Sequence, residues 1–342
     1  MSFRDATIPQ DWPRLADWLD AAGHRLDLNT PPRQFAGGLA NLNYLVTLDG
    51  APAVLRRPPP GPAAEGANDM AREWRVLSRL NAGYPLAPRG IAFCEDVSVL
   101  GAPFQLIEYR SGIAIGGSLP AGLPDDAPAR LTSALIAAMA ALHGLDPASV
   151  GLEGLGKPTG FLGRQVEGWT RRAAAVWPDG DAPASVAQIT AWLRAHLPAD
   201  APAALIHSDF KFDNMLVDPA TLEAQAVIDW DMATLGDPLF DLGVLLSYWT
   251  QPGDPLELHA LAQVPSLEPG FPTRAEVAAA YFAASGRAPV PLDFHLALAR
   301  FRLAVAWMQL YRRWQAGAVH GDRYLGFEKL ALAILDHVAA TL

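Results

Sequence analysis

The chain has 342 residues, is 51% hydrophobic and only 18% charged, enough for a packed core and too apolar for a disordered chain. A net charge of −10, from 26 Lys and Arg against 36 Asp and Glu, disfavours a nucleic-acid partner, which needs a basic face. The single cysteine, Cys94, excludes an internal disulfide and a cysteine-built metal site.

The N-terminal residues carry no apolar signal core, and the longest helical apolar run, Leu131 to Leu145, is short for a bilayer and holds Thr132, Ser133 and His143. These features are those of a soluble, cytoplasmic protein with no membrane partner. The length suggests two domains, or two lobes of one unit.

Residues 33–110 read as strands with one helix. A small-residue loop, 36–41, precedes two strands, 44–48 and 53–56, that flank a turn at Asp49-Gly50. The proline run 58–62 can be neither helix nor central strand. Met70, Trp74, Leu77 and Leu80 then recur at helical spacing behind the capping candidates Asn68 and Asp69. Residues 97–100 and 104–109 read as a hairpin around Gly101, and the uncharged, Gly- and Pro-rich stretch 111–124 reads as a linker.

Beyond it the pattern turns helical. Leu131, Leu135, Met139 and Leu142 form one stripe, and 161–177 and 185–197 are further candidates. Two short apolar strands around polar clusters interrupt this pattern between Leu205 and Asp231, and helices are expected over 239–250, 255–263, 274–285, 293–316 and 323–341. The outline is a small sheet-containing lobe over 1–110 and a larger, mostly helical lobe over 111–342.

The interrupting segment carries the chemistry. Residues 200–241 hold nine carboxylates against one cation, Lys211, and so account for eight of the ten net negative charges. A concentration of this kind asks for a local cause, and a bound cation is one. Asp209 and Asn214 fall on a loop between strands, and Asp229 follows the second strand. Carboxylate and amide oxygens are hard donors that suit Mg²⁺, which keeps several waters or phosphate oxygens of its own. A further carboxylate could orient a hydroxyl nucleophile, and Lys211 could neutralise a phosphate.

His207-x-Asp209-x₄-Asn214, followed by Ile228-Asp229-Trp230-Asp231 and Gly236-Asp237-Pro238-x₂-Asp241-Leu242, resembles the catalytic and metal loops of the aminoglycoside and choline kinases. Gly37-Gly38, Val54-Leu55-Arg56, Glu73 and Ile107-Glu108-Tyr109 are similar, in order, to that superfamily's phosphate loop, phosphate-binding strand, paired helix glutamate and hinge. Residues 54–61, 72–77, 142–147 and 161–169 look like one branch, the kinase-like domain fused to some acyl-CoA dehydrogenases.

The resemblance implies an α+β, bilobal protein-kinase-like fold and an ATP-dependent O-phosphotransferase acting on a small hydroxylated molecule, such as a 4-hydroxyacyl-CoA. An aminoglycoside-type antibiotic kinase and a catalytically inactive nucleotide-binding module are the alternatives. It also implies the roles. Asp209 and Lys211 are catalytic. Asn214, Asp229 and Asp231 hold Mg²⁺. Gly37, Gly38, Arg56, Glu73, Ile107, Glu108 and Tyr109 bind ATP. One departure stands out. The family's strand position is usually Lys, and here it is Arg56, with no lysine before Lys157. Arg57 could share its task. His207, Asp237 and Asp241 are expected to be structural, with Asp241 bracing the catalytic loop.

Overall fold

The structure, a computed structural model, describes residues 3–36, 41–59, 69–260, 263–319 and 321–342. Gly37 and Gly38 lie outside the described residues.

In chain order the first elements are α1 (Trp12–Ala21), β1 (Arg33–Gln34), β2 (Leu42–Leu48), β3 (Ala51–Arg57), α2 (Met70–Leu77), β4 (Gly90–Cys94), α3 (Val97–Leu100), β5 (Phe104–Glu108) and β6 (Ile113–Ala114). There follow α4 (Ala127–Gly144), α5 (Phe161–Val176), α6 (Ala184–Ala195), β7 (Ala204–Ile206), β8 (Met215–Val217), β9 (Ala224–Val227) and β10 (Thr234–Gly236). The last are α7 (Pro238–Tyr248), α8 (Leu256–His259), α9 (Arg274–Ser285), α10 (Asp293–Gln315) and α11 (Phe327–Thr341). The class is α+β, as the alternation of patterns predicts. Among the described residues no helix is long and apolar enough to cross a membrane.

The chain forms two compact units. The first comprises 1–114, 147–153 and 214–233, and the second 115–146, 154–213 and 234–342. Residues 214–233, which the sequence groups with the helical part, are therefore packed in the sheet-containing unit.

In the first unit the strands pair antiparallel in the order β1–β2–β3–β5–β4. β2 alternates buried and half-buried residues, the pattern of a strand with one face on a core. Asp49 (φ 53°) and Gly50 (φ 81°) make the two-residue loop to β3, and their left-handed conformation matches the twist of a tight hairpin. Leu15 and Leu19 of α1 pack on Tyr44, Leu55, Phe104 and Leu106 of the sheet, all fully buried.

Asp69 caps α2 by accepting from the Arg72 N–H, and α2 packs against β4 at Gly90, where an added Cβ would lie 2.5 Å from the Trp74 ring. The short run 97–100 is helix α3 rather than a strand. Asp96 caps its start, accepting from the Ser98 N–H, and left-handed Gly101 (φ 81°) closes its end. β5 pairs instead with β3 and β4. The expected linker also holds β6, which pairs with β8.

In the second unit α10 packs against α5, α6, α7 and α11, and α4 against α9 and β7. Every residue of α7 is buried, which explains why its sequence is apolar on all sides. Asp237 caps it, accepting from the Leu239 N–H, with Pro238 in the first turn. β7 pairs antiparallel with β10.

Candidate active site

One group of candidate residues lies on the sheet of the first unit. Asn43, Arg56 and Gln105 stand opposite one another on β2, β3 and β5, so their side chains share one face. Glu73, from the first turn of α2, meets this row and is buried. Its Oε2 accepts from Arg56 Nε and from Gln105 Nε2, both at 2.7 Å. Arg56 also donates through Nη1 to Asn43 Oδ1 at 3.4 Å and through Nη2 to Asp229 Oδ1.

Burial opposes the charge on Arg56, but Glu73, Asp229 and Asp231 outweigh it and hold the guanidinium above its ordinary range. Burial pushes the Glu73 carboxyl up, and Arg56 only partly offsets this. Arginine donates here from three separate nitrogens of a planar fork, to helix, strand and loop at once, and so spans more widely than the single nitrogen of a lysine. Arg57 faces elsewhere. Its Nη1 donates to Leu100 O at 2.6 Å and to Gln10 Oε1, and its Nε to Pro58 O at 3.1 Å.

Asn214 and Asp229 flank the open end of the β8–β9 hairpin. Met215 pairs with Val227, and the Ile228 N–H donates to Asn214 O at 2.9 Å. Asn214 is buried, whereas the Asp229 side chain is 38% exposed on a left-handed residue (φ 71°). Trp230 anchors the following turn, donating from Nε1 to Val227 O at 2.7 Å and packing edge-on against Tyr84. Arg72 Nη2 donates to Ala233 O at 3.0 Å, tying α2 to the same turn.

Asn214, Asp229 and Asp231 supply hard oxygen donors of the kind Mg²⁺ prefers. Among the described residues no group of three or more His, Cys, Asp or Glu could hold a metal by itself. A magnesium–nucleotide complex needs only one or two protein carboxylates beside its phosphates.

At the end of β5, Ile107 is buried and the Glu108 carboxylate pairs with Arg110 Nη2 at 3.1 Å and Arg89 Nε at 3.5 Å. Tyr109 follows directly.

A separate group of candidate residues lies on the loop after β7, in the second unit. Asp241 of α7 is fully buried and accepts from the His207 N–H with Oδ2 and the Ser208 N–H with Oδ1, both at 2.6 Å. His143 of α4 bridges Asp241 Oδ2, at 3.2 Å, and the Tyr281 hydroxyl, at 2.8 Å. Asp241 thus braces this loop, as its place in the sequence motif suggests. The Asp209 N–H donates to His207 Nδ1 at 3.3 Å.

Lys211 Nζ lies 2.9 Å from both Asp209 Oδ2 and Asp213 Oδ1, and 5.6 Å from the centre of the Tyr248 ring. Burial works against its charge, but the two carboxylates prevail and hold the ammonium well above the usual lysine range. Burial, then Asp209, push the Tyr248 hydroxyl up.

Sequence reasoning missed Asn43, Gln105, Asp213, Tyr248 and Arg302 as neighbours of these groups. Arg56 and Gln105 are 49 positions apart in the chain, and only strand register brings them together.

This combination of fold and polar groups defines a small-molecule kinase of protein-kinase-like architecture. Residues 32–280 match the profile of the phosphotransferase enzyme family, APH, and the chain belongs to that family. Mouse acyl-CoA dehydrogenase family member 10 is 31% identical over 283 residues, covering 82% of this chain and 26% of that protein. Chicken acyl-CoA dehydrogenase family member 11 is 31% identical over 318 residues, covering 89% and 39%. The chain thus spans about a quarter to two fifths of the length of these relatives.

A crystal structure from Ralstonia eutropha JMP134, assigned as an aminoglycoside phosphotransferase, superposes with a TM-score of 0.76 at 26% identity, covering 97% of this chain and 99% of that one. The ternary complex of aminoglycoside phosphotransferase APH(4)-Ia with ADP and hygromycin B shares the fold, with a TM-score of 0.61 at 16% identity and coverage of 96% and 97%.

Proposed function

We propose that this kinase transfers the γ-phosphoryl group of Mg-ATP to a hydroxyl of a small molecule, and that the acceptor is a 4-hydroxyacyl-CoA. The observation that carries the nucleotide reading is the buried Arg56–Glu73 pair with Asp229 on the same guanidinium, an arrangement suited to meeting phosphate charge. The acyl-CoA reading draws on the relatives, both of which bear acyl-CoA dehydrogenase names.

In this reading 1–110 is the nucleotide-binding lobe and 111–342 carries the catalytic loop and acceptor-binding helices. Gly37, Gly38 and Arg56 meet the phosphates, Glu73 holds Arg56, and the backbone of Ile107, Glu108 and Tyr109 meets the adenine. Asn214, Asp229 and Asp231 hold Mg²⁺, which neutralises phosphate charge when bound. Asp209 accepts the proton of the acceptor hydroxyl, whose oxygen bonds to the γ-phosphorus as the bond to ADP breaks. Lys211 fixes one Asp209 oxygen and balances the charge of Asp209 and Asp213. Catalysis is then mainly positioning and charge stabilisation.

An aminoglycoside acceptor is the second reading, and the hygromycin B complex of a structural neighbour speaks for it. ADP release from Mg-ATP, measured with 4-hydroxyacyl-CoA, choline and aminoglycosides in parallel, tests both. Turnover confined to the acyl-CoA supports the first reading, and turnover confined to aminoglycosides supports the second. No turnover with any of them supports an inactive nucleotide-binding module.

A further inference from the structure

Ser208 immediately precedes the proposed proton acceptor, Asp209, and is a non-glycine residue in the left-handed region (φ 68°). That conformation is sterically disfavoured for an L-residue, so the surroundings must impose it. Its N–H donates to Asp241, and the next N–H, that of Asp209, donates to His207 Nδ1. Its carbonyl accepts from Arg302 Nη2 at 2.9 Å. Arg302 comes from α10, is 7% exposed, and sits against the rings of Trp169 and Phe240 at 5.7 and 6.0 Å.

The Ser208–Asp209 peptide is held at both ends, by the buried guanidinium on its carbonyl and by His207 Nδ1 on its N–H, so Arg302 shares control of its rotation. That rotation sets where the Asp209 carboxylate points. Asp241 holds the amide side of Ser208 and cannot by itself fix the carbonyl side.

We propose that Arg302 is a positioning residue for the transfer step, acting on Asp209 through the Ser208 carbonyl. This rests on the reading of Asp209 as proton acceptor. In this role Arg302 acts through the backbone, so its effect falls on kcat more than on binding.

The test compares Arg302→Met and Arg302→Lys with the parent chain, using ADP release from Mg-ATP with a 4-hydroxyacyl-CoA. Arg302→Met lowers kcat about 100-fold while both KM values stay within roughly twofold, because misaiming by about an ångström is costly and binding groups are untouched. Arg302→Lys keeps the charge and recovers part of the loss. In an Asp209→Asn background Arg302→Met lowers kcat no further, since the group it aims is gone.

Hydrogen exchange followed by mass spectrometry reads the same idea without turnover. In either variant exchange rises in the peptide holding 205–211 and not across the helices of the second unit. If Arg302→Met does not fold, Arg302→Lys carries the test. Unchanged kcat and exchange in Arg302→Lys, or an exchange increase spread over the whole unit, overturn the proposal. Wild-type turnover in Asp209→Asn overturns instead the reading of Asp209, which separates the two failures.

Discussion

Arg56→Met removes the one cation beside a buried carboxylate and keeps a side chain of similar length. Glu73 would retain Gln105 Nε2 at 2.7 Å and the Trp230 N–H, but no compensating charge. Breaking a buried pair by deleting one partner costs about 3–5 kcal/mol. Asp229, whose side chain is 38% exposed, adds at most about 1 kcal/mol.

The sign of the pH dependence follows from Glu73. Burial already raises its folded pKa, and loss of Arg56 raises it further. A carboxyl with a raised folded pKa binds a proton on folding, so stability declines as pH climbs from its unfolded value through its folded one. The Arg56→Met penalty is therefore small near about pH 5 and grows towards about pH 8. Adding Glu73→Gln restores most of the loss at the higher pH, because the buried charge is gone. Urea unfolding followed by tryptophan emission measures all of this. A penalty below about 1 kcal/mol, or one equal at both pH values, would refute the reasoning.

Two further expectations concern the second unit. Asp241→Asn turns one carboxylate oxygen into an N–H donor facing another donor, and costs about 3 kcal/mol in thermal or urea unfolding, with turnover lost alongside. A fully stable, fully active Asp241→Asn would remove the bracing role. Lys211→Met leaves Asp209 and Asp213 without their shared ammonium, so kcat falls about 10- to 100-fold while the KM for ATP changes little. An unchanged kcat would show that Lys211 does not act on Asp209.

Much of this was legible in the sequence, for reasons that differ element by element. The β2–β3 hairpin announced itself because Asp49-Gly50 provides the left-handed turn and the flanking residues alternate. α2 was visible from its apolar spacing and its cap, and α9 matched the expected 274–285 because Thr273 and Glu276 form a capping box. The spacing around Asp209, Asn214 and Asp229 stood out because a strand–loop–strand segment interrupts helical periodicity.

Val97–Leu100 misled because four apolar residues fit a strand or one helical turn equally, and the Asp96 cap decided it. Gln105 was invisible as a functional candidate, and nothing in the sequence ties Arg302 to the catalytic loop. Tertiary packing supplies their partners, Glu73 and Ser208. The departure at Arg56 was visible as a missing lysine, but its geometric reason needed the third dimension.

The central claim is tested most directly by following label from γ-labelled Mg-ATP into a 4-hydroxyacyl-CoA with the parent chain and with Asp209→Asn. The account predicts labelled product from the parent and a loss of about 100-fold or more in kcat for the variant, with the KM for ATP little changed. Equal rates of transfer from both proteins would contradict it.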